Sequence, residues 1–75
     1  IPEKTLDAGE KGVGIANALT QCGLTSSNSE AFRMIKQGGV RIDGEKVSDR
    51  SLHLQTGFEG ILQVGKLKFC KAYVK

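Results

Sequence analysis

The sequence predicts an α+β domain in which two short helices pack on a small, mostly antiparallel sheet. Two observations indicate this class. Apolar residues recur at helical spacing in the first half of the chain, and alternate around glycine-containing turns in the second half. A chain of 75 residues has room for one domain with a small core.

The charge balance favours an anionic partner. Lys and Arg number 11 against 8 Asp and Glu, which gives a net charge of +3 and a pI of about 9.1. No apolar run approaches the roughly 20 residues that span a bilayer. We therefore expect no membrane contact and a cytoplasmic setting, with an organelle left open. Cys22 and Cys70 lack metal-ligand spacing, so we expect no metal and favour free, buried thiols over a disulfide.

Residues 1–12 contain Pro2, two glycines and mixed charges without a clear hydrophobic period. This composition predicts a linker or extended arm that leads in from an upstream domain. The domain itself is then expected to comprise residues 13–75.

The first helix is predicted over residues 13–22. Its apolar positions repeat at i, i+3, i+4 and i+7: Ile15, Ala18, Leu19 and Cys22. Gly23 follows as the expected left-handed residue that ends the helix.

The second helix has the best-defined start in the chain. Ser27 and Glu30 have capping-box spacing, in which the Ser27 hydroxyl accepts from the Glu30 amide and the Glu30 carboxylate reaches back to the Ser27 amide. Ala31, Met34 and Ile35 form an apolar stripe expected to face the first helix. Gly38 and Gly39 are expected to end the second helix.

Two hairpins are predicted after the helices. Residues 40–47 alternate around Asp43-Gly44, a pair typical of a type I′ turn. A polar loop is expected over residues 48–60, followed by strands over 61–64 and 67–74 joined across Gly65-Lys66. The apolar pattern of the last strand changes phase, which predicts a bulge or twist near Phe69 and Cys70.

The sequence offers little for catalysis. His53 is the only histidine and has no nucleophile at a motif spacing. Asp43 and Glu45 are interpreted as turn residues, and Asp49 with Arg50 as a solvated pair. We therefore expect a chain that is not an enzyme by itself.

A binding surface is better supported. Four residues of the second helix share one face: Ser29, Phe32, Arg33 and Lys36. Arg41 follows on the next strand, and the acid-free end of the chain adds Lys66, Lys68 and Lys71. An exposed aromatic among cations suits stacking on an unpaired base, although Phe32 could instead pack on protein.

The stretch SNSEAFRMIKQGGVRIDGEKV resembles the core of the S-four domain, an RNA-binding family named after a protein of the small ribosomal subunit. The positions that match the family pattern are Ser27, Ser29, Glu30, Ala31, Arg33, Ile35, Gly38, Val40, Ile42 and Gly44. The family commonly has Arg where this chain has Asn28 and Phe32.

The resemblance implies the family's α-L-motif fold and RNA contacts through Ser29, Arg33, Lys36, Gln37 and Arg41. The flanking CGL and LQVGKLKF segments are similar to the C-terminal domain of bacterial-type tyrosyl-tRNA synthetases. This likeness implies a monomeric, non-catalytic domain without a cofactor that positions tyrosine tRNA, in a homodimeric parent that uses ATP.

Two alternatives stay open at this point. The same family module occurs in rRNA-modifying enzymes and ribosome-associated factors. A protein-interaction domain that docks Phe32 and the basic face on an acidic partner is the third hypothesis.

Overall fold

The structure is a computed structural model that describes all residues from 1 to 75. In chain order its elements are β1 (Glu3–Leu6), β2 (Val13–Gly14), α1 (Ile15–Gln21), α2 (Asn28–Lys36), β3 (Val40–Ile42), β4 (Glu45–Lys46), β5 (His53–Leu54), β6 (Glu59–Val64) and β7 (Lys68–Val74). The strands form a five-stranded sheet in the order β1-β7-β6-β3-β4 and a two-stranded ribbon of β2 and β5. The predicted fold class is confirmed. Neither helix has the length and apolar character needed to cross a bilayer.

The large sheet has one covered face and one uncovered face. Only β1 and β7 pair in parallel; the other strand pairs are antiparallel. Alternate residues of β3, β6 and β7 are buried in the core with α1 and α2, and we call this side the inner face. The intervening residues form the open face: Arg41, Glu59, Ile61, Gln63, Phe69, Lys71 and Tyr73.

Residues 3–6 of the segment 1–12 are extended as β1, and this strand is docked on the sheet. The residues of β1 pair with β7, and Leu6 is 1 % exposed. The Lys71 amide donates to the Pro2 carbonyl at 2.8 Å, and the Lys75 amide donates to the Leu6 carbonyl at 2.9 Å. Hydrophobic periodicity in the sequence does not indicate this strand, because its extended conformation depends on pairing with β7 at the distant end of the chain. Its connection to an upstream domain stays a prediction.

The first helix is shorter than predicted because its first two residues belong to a strand. Val13 pairs with Leu54 in the β2-β5 ribbon, whose second strand lies within the segment expected to be a polar loop. The Ile15 amide donates to the Leu52 carbonyl at 2.9 Å, so the ribbon holds the start of α1. Gly23 has a φ of +76° and ends the helix in the predicted left-handed conformation.

The second helix is capped at both ends. The Glu30 amide donates to the Ser27 hydroxyl at 3.2 Å, as predicted. The Glu30 carboxylate accepts from the Ser26 amide and hydroxyl instead of the Ser27 amide, and these hydrogen bonds lower the pKa of Glu30. At the other end, Gly38 has a φ of +76° and its amide donates to the Ile35 carbonyl at 3.0 Å. The following amide donates to the Met34 carbonyl at 2.9 Å, which completes a Schellman motif.

The first hairpin has the predicted turn, whereas the second differs from its prediction. Asp43 and Gly44 have φ values of +51° and +87°, as a type I′ turn requires. In the second hairpin Val64 pairs with Lys68, so the loop contains three residues. Leu67 is the last residue of this loop and is 90 % exposed.

The predicted phase change in the last strand is therefore wrong. The residues of β7 alternate regularly between the two faces, and the register with β6 is continuous from Glu59↔Tyr73 to Val64↔Lys68. The apparent irregularity arises because hydrophobicity alone assigns Leu67 to the strand.

Both cysteines are free thiols, as favoured by the sequence. Cys70 lies in the core, whereas Cys22 at the end of α1 is only partly buried. Burial, followed by the influence of the neighbouring Cys70 thiol, raises the pKa of Cys22 to about 12. The Cys22 thiol is consequently protonated at neutral pH.

Replacing Ser27→Ala removes the side-chain acceptor of the α2 N-cap and should lower the free energy of unfolding by about 1 kcal/mol. Urea denaturation of the variant and the parent chain measures the difference. Ser29→Ala is the matched control, because Ser29 lies on the exposed helix surface. Equal losses for the two variants would show that the Ser27 cap contributes no specific stabilisation.

The raised pKa of Cys22 predicts slow alkylation. The thiolate is the reactive form, so iodoacetamide at about pH 8 should modify Cys22 in the native chain at least about 100-fold more slowly than in denaturant. Peptide mapping by mass spectrometry separates Cys22 from Cys70. Native and unfolded rates within a few-fold of each other would contradict the raised pKa of Cys22.

Candidate nucleic-acid interface

The outward face of α2 carries the four residues that the sequence placed together. Ser29, Phe32, Arg33 and Lys36 are all exposed, whereas Ala31 on the other side of the helix is buried. Phe32 is 41 % exposed, which is high for a large aromatic side chain. The geometry therefore presents an aromatic ring and two cations on one rigid surface.

The cations on this face have no carboxylate partner. The only ion pair of the chain joins Lys71 to Glu59, so Arg33 and Lys36 form none. Both lie in the last turn of α2, where cations also offset the negative end of the helix dipole. Dipole compensation leaves their side chains free to contact an external anion.

Beside this face lies a cavity of about 320 Å³, which we call the α2 groove. Its lining residues come from α2 and from the segment that follows β4: Phe32, Arg33, Ile35, Lys36, Ser48 and Arg50. The sequence interpretation missed Ser48 and Arg50 as site residues.

Arg50 does not form the predicted pair with Asp49. The Asp49 carboxylate accepts from the Ser51 amide at 2.9 Å and from the Ser51 hydroxyl at 2.6 Å, and these bonds lower its pKa. Arg50 instead lines the α2 groove. No local sequence pattern predicts that Arg50 lines the groove, because its position depends on how the segment after the β3-β4 hairpin packs beside α2.

Gln37 and Arg41, which the resemblance implies as RNA contacts, lie outside the α2 groove. Gln37 is the exposed C-cap residue of α2. Arg41 lies on the open face of the sheet, and its Nη1 atom donates to the Gly44 carbonyl at 3.1 Å. Neither residue lines the α2 groove.

The three lysines of the second hairpin do not form one cluster. Lys66 and Lys68 lie beside the start of α2, where they line a cavity of about 310 Å³ together with Leu24, Glu30, Met34, Val64, Gly65 and Leu67. Lys71 lies on the open face, with its Nζ atom 3.9 Å from a Glu59 oxygen and 5.3 Å from the centroid of the Tyr73 ring. The structure therefore separates Lys71 from the α2 surface.

A third cavity, of about 560 Å³, has the opposite charge character. Three carboxylates and one cation line it, from Asp43, Glu45, Asp49 and Lys46. Ser48, which follows β4, borders both this cavity and the α2 groove. The segment after β4 therefore separates an acidic surface from a basic one. An anionic ligand is repelled on the first side and attracted on the second.

Side chains that could ligate a metal ion do not cluster in the structure. No group of three or more His, Cys, Asp or Glu side chains is placed to hold a metal ion. The exposed His53 ring lies with Nδ1 2.7 Å from the Ser51 carbonyl, in a local turn contact.

Comparison with known proteins gives two findings. A family model described as "S4 domain" matches residues 13–57. The tyrosine–tRNA ligase of Nitrosospira multiformis is 51% identical over 74 residues, which cover 99% of this chain and 18% of that protein. The ligase of Colwellia psychrerythraea is 49% identical with the same coverage.

The corresponding ligase of Shewanella oneidensis is 52% identical over 71 residues, which cover 95% of this chain and 18% of that protein. The chain thus spans less than a fifth of the length of these relatives.

Proposed function

Because the chain belongs to the S4 domain family, we propose that it is a non-catalytic RNA-binding domain of a tyrosyl-tRNA synthetase. In this role it holds tyrosine tRNA in position for aminoacylation by an upstream catalytic domain. The relatives are named tyrosine–tRNA ligases and match nearly the whole chain, which supports the ligase over an rRNA-modifying enzyme or a ribosome-associated factor.

The observation that carries the proposal is the exposed face of α2. It presents Phe32, Arg33 and Lys36 without an intramolecular ion pair, on a helix whose ends are fixed by caps. Cations of this kind bind the phosphate backbone and release condensed counterions, which makes RNA affinity depend on salt. The aromatic ring adds a stacking surface for an unpaired base.

The chain's contribution is positioning. Backbone contacts fix the orientation and register of a nucleic acid without reading its sequence. The proposal assigns the catalytic domain, its ATP and the homodimer contact to the remainder of the ligase, and this domain acts as a monomeric tRNA-binding unit in the cytoplasm.

Titration with tyrosine tRNA at several salt concentrations tests the proposal. Combining Arg33→Ala with Lys36→Ala should weaken binding by roughly tenfold. It should also reduce the slope of log affinity against log salt by about 1 for each phosphate that the variant no longer neutralises. Fluorescence anisotropy of labelled tRNA measures both quantities.

The matched control removes the same charge elsewhere. Lys11→Ala with Lys75→Ala changes two exposed cations that line none of the three cavities, and it should leave most of the affinity and slope intact. Equal effects of the two double variants, or binding without a salt slope, would refute the α2 surface. Tighter binding to a ribosomal RNA helix than to tyrosine tRNA would favour the rRNA alternative.

A further inference from the structure

The α2 groove has the size of a small-ligand site. Its volume of about 320 Å³ is near the lower end of the roughly 300–1,000 Å³ found for such sites. Ile35, which is 3 % exposed, forms an apolar floor, while Phe32 and Arg50 belong to two different segments that border the cavity. A single nucleotide matches this space better than a paired segment does.

The aromatic ring supplies the reason for an unpaired nucleotide. Bases inside a duplex are stacked on both sides and cannot present a face to a side chain. An extruded or bulged base can stack on an exposed ring, and such stacking tolerates any base because each has a π-face. Phe32 is the one aromatic residue of α2, and its exposed part borders the groove.

The charges supply the reason for a phosphate-bearing ligand. Three cations line the groove, namely Arg33, Lys36 and Arg50, and no carboxylate does. None of the three takes part in an ion pair within the chain. Arginine suits phosphate particularly well, because its planar guanidinium can donate two parallel hydrogen bonds. Ser48 adds a hydroxyl that can donate to or accept from the base or ribose.

We infer that the α2 groove binds one unpaired RNA nucleotide, with the base on Phe32 and the flanking phosphates on Arg33 and Arg50. This inference rests on the proposed function and adds a subsite to it. It gives Arg50 and Ser48 a role in the interface, and it makes the groove select RNA that carries an extruded residue over RNA that is fully paired.

The test compares two RNA duplexes of the same length, one fully paired and one with a single unpaired adenosine in the middle. The bulged duplex should bind about tenfold more tightly, since stacking on Phe32 is available only to an unpaired base. Phe32→Leu, which retains apolar packing, and Arg50→Ala should each abolish most of this preference. Phe32→Tyr should retain it, because the tyrosine ring also stacks.

The control Lys11→Ala removes one exposed cation outside the groove and should leave the preference unchanged. Circular dichroism of each variant establishes that the fold is retained. Equal affinity of the parent chain for both duplexes, or a preference that survives Phe32→Leu, would overturn the assignment of the groove.

The outcomes separate the two proposals. Salt-dependent binding to both duplexes without a bulge preference overturns the nucleotide site and leaves the RNA-binding function standing. Absence of binding to either duplex and to tyrosine tRNA overturns both. Competition by a poly-glutamate peptide at the same concentration of charge, with the same dependence on Phe32, would assign the groove to an acidic protein instead.

Discussion

Burial of Ala31 and Ile35 fixes the rotation of α2 about its own axis. These two side chains are 0 % and 3 % exposed and belong to the same core as α1 and the inner face of the sheet. Side chains on the opposite side of a helix must then face solvent. Phe32 and Arg33 are exposed for this reason, and the composition of the interface follows from the packing of the core.

The segment that follows the β3-β4 hairpin contributes the second group of residues that line the α2 groove. Val47 is buried, and its amide donates to the Val40 carbonyl at 2.9 Å, which anchors the chain where β4 ends. Ser48 and Arg50 follow this anchor at once and border the α2 groove. The acidic residues of the hairpin line the cavity on the other side of Ser48. The buried Val47 thus lies directly before the segment that places Arg50 at the α2 groove.

The features predicted from the sequence are those set by local interactions. The Ser27 cap and the Asp43-Gly44 turn each depend on a few neighbouring residues, and the structure has both. The strand β1 and the β2-β5 ribbon escape prediction because their hydrogen-bond partners are distant in sequence. The position of Leu67 is not predicted because hydrophobicity does not distinguish the first residue of a strand from an exposed residue of the preceding loop.

The residues of the candidate site also divide into those that local spacing predicts and those whose placement depends on the tertiary fold. The helical face of α2 follows from residue spacing alone, because side chains at i, i+3, i+4 and i+7 must share a face. Sequence proximity pairs Arg50 with its neighbour Asp49, whose carboxylate binds Ser51 instead. Proximity also groups Lys71 with Lys68, although strand alternation places the two on opposite faces of the sheet.

We propose that α2 and the segment after β4 together form one RNA-binding surface. Its most direct test is a two-dimensional ¹H–¹⁵N correlation spectrum of the labelled chain recorded during titration with tyrosine tRNA. If RNA binds this surface, the largest changes occur in Phe32, Arg33, Lys36 and Ser48–Arg50, with small changes at Lys71 and Tyr73 on the open face. Changes concentrated on the open face, with α2 unaffected, would contradict it.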